Sequence, residues 1–299
     1  MKVIRFSVIL CLLFFAMRAS AQNARIMFYD SCASQINRCV NEKNYGAAVS
    51  FDKKLNQKHQ LLTTSLFEFW GLSLLAEDSA GFYQASRLWI LNSALPIKTI
   101  IENYGKLSTR VYALNYTPEI IAQSKIFGPV YERLQQEESP LIVRAKNTLD
   151  WQWIIFLEGI LTSNIDYRYL PDSAFAGSEG KMKGIIFIDS LHLMRVNSFI
   201  ASNGFPTMSR LGMNWGEIQP ILKHCIELVG LEEEKRSDYF LVIWKSLFPK
   251  MYQAVLDWEM EPDFYRFLYR SLERSLTKVG HSEKMDFFKQ YELHKTTAQ

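Results

Sequence analysis

The sequence predicts a mainly α fold: a helical hairpin or bundle in the N-terminal part, then a compact helical C-terminal domain. Three observations predict it. Apolar residues recur at spacings of three and four along most of the chain. Proline, glycine and capping residues fall between those periodic runs. Runs with strand-like alternation are few. With 299 residues, 14% of them aromatic and seven of them Trp, the chain can bury a large core without a metal or disulfide staple.

The first 21 residues stand apart. "MKVIRFSVILCLLFFAMRASA" places Lys2 and Arg5 ahead of an apolar run from Val8 to Met17, then Ala19-Ser20-Ala21. That is the pattern of a secretory signal peptide cleaved near Ala21. The run is shorter than the roughly 20 residues a bilayer span takes. Cys11 follows Leu10, where a lipoprotein signal wants a small residue. The expectation is an exported protein, periplasmic or extracellular, whose mature chain begins at Gln22. No later segment reads as a transmembrane helix. The chain has 34 basic and 31 acidic residues, and Lys2, Arg5 and Arg18 belong to the leader, so the remainder is balanced at 31 of each. The excess basicity is a targeting signal, and no nucleic-acid partner is expected.

Residues 22–140 read as a helical N-terminal region. From Ala24 to Asn44, Ile26, Met27, Tyr29, Ala33, Ile36 and Val40 mark one helix, and a tight turn leads into a second over Asn41–Gln57. Tyr45, Ala47, Ala48, Phe51 and Leu55 after a small turn resemble the helix–turn–helix unit of tetratricopeptide repeats. No second copy follows at the repeat's period of about 34, so the pair is read as an α-hairpin. Cys32 and Cys39 would share the first helix about 10 Å apart along its axis, too far to bridge. With Cys225 they make three cysteines after the leader: either one of the two pairs with Cys225, or all are small buried thiols. Leu61–Ala76, Phe82–Leu95, Ile97–Leu107 and Glu119–Gln136 carry further helical periods, with Pro96, Gly105 and Pro118 at edges. Thr117-Pro118 and Ser139-Pro140 each place a proline at a helix's first position.

Residues 141–299 read as the C-terminal domain. Leu141–Leu161 is a buried helix or a short strand. "YLPDSAFAGSEGKMKG" (Tyr169–Gly184), rich in Gly, Ser and charge, reads as a surface loop or linker. Ile185–Asn203 is a helix, with an extended start possible at "GIIFID". Asn203-Gly204 and Pro206 stop it. Asn214 and Glu217 look like a capping box for a following helix, in which Ile218, Ile221, Leu222, Cys225, Ile226 and Val229 form an apolar stripe and Pro220 is a kink or restart. "EEEKR" (Glu232–Arg236) is a polar loop or helix start, and Tyr239–Tyr291 is helical with breaks near Pro249, Pro262 and Gly280. "DFYRFLYRSLER" (Asp263–Arg274) is either an amphipathic docking helix or one with a solvated charged face.

Asp189 at a helix start, Gly204-Phe205-Pro206, Leu211-Gly212 and a helical His224 resemble a family of uncharacterised bacterial proteins, many of them exported. Its motif is an Asp-led helix, Gly-Trp-Pro, a hydrophobic-Gly pair and Gln-His on the next helix. The resemblance spans roughly Leu149–Tyr269. Phe205 replaces the usual Trp, and Lys223 the usual Gln. It implies a fold and a candidate site, with no reaction attached.

Five residues are candidates for chemistry: Asp189, His192, Arg210, Glu217 and His224. Asp189 and His192, three apart, share a helix face with Ile185 and Val196; Glu217 and His224, seven apart, share another. Convergence of the four would suit metal ligation or acid–base work. The simpler reading gives Asp189 and Glu217 to helix capping, His192 to a hydrogen-bonded core edge and His224 to packing. Only Arg210 and His224 then lack a structural role. The chain holds no H-E-x-x-H, C-x-x-C, Gly-rich phosphate loop or G-x-S-x-G, so neither a cofactor nor a metal is expected. Trp151 and Trp153 read as core rather than as stacking platforms. The expected function is a binding module for a protein, a peptide or an envelope component. The alternative is a hydrolase using Asp189, His192 and His224, with or without a metal. The oligomeric state is left open.

Overall fold

The computed structural model describes residues 24–58, 63–106, 113–175 and 177–293. The segment expected to be a signal peptide, its expected cleavage position and Cys11 lie outside the described residues. Among the described residues all regular elements are helical and none is a strand, so the fold is mainly α.

Helices α1 (residues 24–41) and α2 (Tyr45–Lys58) form the expected hairpin. The Asn44 Oδ1 accepts from the Ala47 N–H at 3.2 Å and opens α2. The buried stripe of α1 is Ile26, Tyr29, Cys32, Ile36, Cys39 and Val40, whereas Met27 faces solvent. Cys32, Cys39 and Cys225 are buried, and none of them is in a disulfide among the described residues.

Next come α3 (Thr63–Leu75), α4 (Ser79–Ser93), α5 (Ile97–Tyr104), α6 (Pro118–Gln123) and α7 (Gly128–Thr148). Helix α4 is the centre of this half, packed between α3 and α7. Its Phe82, Trp89 and Ile90 are wholly buried, and Trp89 meets Trp70 of α3 edge-on at 5.3 Å. Each such side chain contributes about 1.5–3 kcal/mol through burial.

The run Glu119–Gln136 is two helices rather than one. Thr117 caps α6 with Pro118 at its first position, as expected. The Ser124 Oγ then accepts from the N–H groups of Ile126 and Phe127, each at 3.2 Å, and the chain turns before α7. Ser139-Pro140 is not a helix start: Pro140 lies inside α7, and a division of the chain after residue 140 falls within that helix.

The C-terminal half contains α8 (Trp151–Tyr169), α9 (Gly177–Asn203), α10 (Met208–Leu211), α11 (Trp215–Cys225), α12 (Glu234–Leu256) and α13 (Pro262–Lys278). The strand alternative for Leu141–Leu161 is not realised. That segment is helical on both sides of a break at Leu149-Asp150, where the Asp150 Oδ1 accepts from the Trp153 N–H at 3.2 Å. The expected linker Tyr169–Gly184 is also shorter. It holds a 3₁₀ turn at Asp172–Ala174, and α9 starts at Gly177 with no extended segment at Ile185. Gly184 sits inside α9 against Tyr167, whose hydroxyl lies 2.3 Å from where a Cβ would be.

Pro140, Pro220 and Pro249 all lie inside helices, against the helix start expected at Pro140 and the break expected near Pro249; the restart alternative for Pro220 is not realised. A helical proline orphans the carbonyl four residues earlier. Here those carbonyls belong to Gln136 and Gly216, both exposed, and to half-buried Lys245, so solvent can satisfy them. Pro262 does open α13, and Gly280, at φ +78, does follow it.

Against the expectation that no segment after the leader is long and apolar enough to cross a membrane, α9 is so by length and composition alone. Its most apolar stretch is 33% buried, and it packs against α8, α11 and α12. The two halves of the chain are clamped at their far ends. Arg266 of α13 donates to both carboxylate oxygens of Asp30 on α1, at 2.9 and 2.7 Å. Beside this pair, Tyr29 meets Trp258 edge-on at 5.6 Å.

Candidate functional site at the junction of α8, α9 and α11

Helices α8, α9 and α11 pack against one another. Trp153 and Phe156 of α8 meet Phe199 of α9 at 4.5 and 4.1 Å, so these two helices run antiparallel from an aromatic end to a polar one. The polar end holds Ser163 and Arg168 from α8, Asp189 and His192 from α9, and His224 and Cys225 from α11.

Asp189 lies mid-helix and 5% exposed, so it caps nothing. Both of its oxygens stand 2.6 Å from the Arg168 Nη2. The Cys225 thiol donates to the Asp189 carbonyl at 3.3 Å, and burial pushes that thiol well up, leaving it protonated and inert. His192 is 1% exposed, and its Nε2 stands 3.0 Å from the Ser163 Oγ. The Ser163 hydroxyl also contacts the Ile160 carbonyl at 2.8 Å. A hydroxyl has one proton, and a carbonyl can only accept. The consistent assignment is that the His192 Nε2–H donates to Ser163, which donates to Ile160. Burial holds His192 below its ordinary value, so the ring is neutral.

His224 is the open member. It is half-buried and makes no hydrogen bond among the described residues. Burial first, then the Arg168 guanidinium, lower its pKa, against the opposing pull of Asp189 and Glu227. The result is a neutral imidazole with free nitrogens in the field of the partly buried Arg168–Asp189 pair.

The junction therefore gathers three of the five candidates: Asp189, His192 and His224. Glu217 lies about 10 Å back along α11 from His224. It belongs to no capping box: Asn214 makes no side-chain cap bond, and its Nδ2 donates instead to the Leu211 carbonyl at 3.2 Å. The Glu217 Oε2 is buried without a partner, and burial, then Glu158, raises its pKa.

Arg210 is elsewhere, about 27 Å from the junction along α8. It forms an ion pair with Asp150, and its Nη1 donates to the carbonyls of Asn203 and Phe205 at 2.9 and 3.0 Å. It thus ties the turn after α9 to the start of α8, a structural role the sequence left unassigned. Gly204, at φ +78, closes α9 as expected. Gly212 is required by close approach: at φ +57, a Cβ there would lie 2.0 Å from the Asn92 carbonyl oxygen of α4. Trp153 is core as expected, but Trp151 is not: it is exposed, with its indole N–H on the Lys146 carbonyl at 2.8 Å.

The sequence reading missed Arg168 and Ser163. Arg168 did leave a signal, as the one basic residue in the apolar sequence of α8. Ser163 left none. Among the described residues no group of three or more His, Cys, Asp or Glu side chains is placed to hold a metal ion. No family model, curated protein or solved structure matches the chain.

Proposed function

We propose that the protein is an exported helical binding module that engages a protein, a peptide or an envelope component at the α8–α9–α11 junction. The observation that carries this reading is His224, a half-buried neutral imidazole without a partner beside the Arg168–Asp189 pair. Such a ring can donate from one nitrogen and accept at the other, and Arg168 adds a positive field. The N-terminal leader pattern supports export, and the likeness of Asp189, Gly204-Phe205-Pro206 and His224 to the exported bacterial family is in keeping with it. The test is a photo-reactive amino acid at position 224, with position 235 as control, in cells secreting the protein. A discrete adduct at 224 alone supports the reading. No adduct, or the same adducts at both positions, counts against it.

A second reading, a hydrolase drawing on Asp189, His192 and His224, is favoured by the 3.0 Å contact between Ser163 and His192. Two features weigh against it. The assigned proton on the His192 Nε2 removes its capacity to act as a base toward Ser163. In addition, backbone N–H groups around Ser163 sit mid-helix, where the α8 ladder uses them rather than an oxyanion. Labelling of Ser163 by a fluorophosphonate, lost in His192→Gln, would reverse the preference.

A further inference from the structure

We propose that the outer face of α13 is a second binding site, for an extended acidic peptide segment with an apolar residue at one end. It does not rest on the reading of the junction.

The apolar face of α13 is not available for docking, because Tyr265, Leu268, Leu272 and Leu276 are wholly buried in the core. The opposite face borders three cavities of about 330, 510 and 300 Å³. The first and second share Phe267, and the second and third share Arg274, so they form one groove. From Phe264 to Lys278 it runs about 21 Å, the span of roughly six extended residues.

One end is apolar. Phe264 and Phe267 lie nearly parallel, 6.5 Å apart, and face Gly216 and Pro220 of α11. The Lys223 ammonium stands over the Phe267 ring at 5.3 Å. The rest is cationic. Arg270, Arg274, Lys278 and Lys223 form no ion pair among the described residues, in contrast to Arg266, which turns inward to Asp30 and Asp263. Arg274 is held ready along its own helix: its Nη2 donates to the Ser271 Oγ at 3.0 Å and its Nε to the Arg270 carbonyl at 3.3 Å.

Charge complementarity selects the occupant. Lys223, Arg270, Arg274 and Lys278, none in an ion pair among the described residues, share the groove with three carboxylates, Glu227, Glu273 and Asp263, of which Asp263 is paired with Arg266. The net positive field attracts acidic side chains, while the carboxylates would repel a continuous polyanion at fixed points. The short length and the aromatic end fit a discrete peptide.

The test is fluorescence anisotropy of the whole protein with a labelled Glu-rich hexapeptide ending in Trp. Its Lys-rich counterpart serves as control, and inorganic polyphosphate as competitor. The expected result is saturable binding of the acidic peptide only, weakened by salt. The double variant Arg270→Glu/Arg274→Glu should lose at least about tenfold in affinity with no change in thermal midpoint. Absence of binding, equal binding of the Lys peptide, full displacement by polyphosphate at equal charge, or an unchanged affinity in the double variant would each overturn the proposal.

Discussion

Two buried aspartates, one at the α1–α13 clamp and one in the α2–α3 layer, have the same chemistry and opposite circumstances. Asp30 is held by both terminal nitrogens of Arg266, and both side chains are at most 5% exposed. Asp52, at 0% exposure, has no hydrogen-bond partner for either oxygen among the described residues. Burial, then the nearby Glu68, push its carboxyl well above the usual range. A buried carboxyl thus survives in this fold in two ways, charged and clamped or neutral and alone. Asp189, with Arg168, belongs to the first class and stands at the candidate site.

The largest expected effect comes from turning Asp30 into a residue like Asp52. Arg266→Met should cost about 3–5 kcal/mol in denaturant unfolding, since one buried charge is left without its partner. Adding Asp30→Leu should recover most of that loss. If the double variant is no more stable than the single, the clamp is not what holds the two ends together.

Arg168→Met applies the same cut at the junction. Arg168 is partly exposed, so the expected cost is smaller, about 1–3 kcal/mol. The sharper readout is protonation. Arg168 lowers the pKa of both His224 and His192, so its removal should raise both in an NMR titration. Unmoved histidines would separate Arg168 from the site.

Asp52→Leu is the reverse experiment and should stabilise by about 1–2 kcal/mol, because an unsatisfied buried group is removed. Its pH signature follows from the raised pKa. The stability attached to protonated Asp52 is complete below the unfolded value of about 3.9 and is lost as pH rises through the folded value. Glu68, also raised by burial, adds in the same direction. The variant should lose part of this slope.

The smallest effect comes from the histidines, with the opposite sign. His192 and His224 are both lowered. Their contribution is complete above about pH 6.5 and is lost as pH falls through the folded values, because the unfolded chain then binds more protons. Replacing His192 with Gln should flatten this acid limb. An unchanged limb would place its origin elsewhere.

Helical periods were readable because they are local: the α1 stripe and the stop at Gly204 depend on neighbours in sequence. Glycine and proline misled where their reason was tertiary or solvent-related. Gly184 reads as linker but makes room for the Tyr167 hydroxyl, and Pro140 and Pro249 read as a helix start and a break but lie inside helices, where the carbonyls they orphan belong to exposed Gln136 and half-buried Lys245. Asn214 and Glu217 have capping-box spacing, yet Asn214 takes a helical conformation at φ −70 and ψ −6, from which its side chain makes no cap bond. At the site, Asp189, His192 and His224 were legible as polar residues on apolar faces. Arg168 was not, because only packing of α8 on α9 brings it to Asp189. The structural role of Arg210 was not legible for the same reason, its partner Asp150 lying at a helix start 60 residues earlier in the chain.

The central claim is that His224, and not His192, is the imidazole open to a partner. The most direct measurement is a ¹H–¹⁵N spectrum of the histidine rings as a solubilised envelope fraction from the producing cells is added. A saturable shift of the His224 signals, with those of His192 unmoved and the response lost in Asp189→Asn, is the predicted result. Unmoved His224 signals, or a shift confined to His192, would contradict the account.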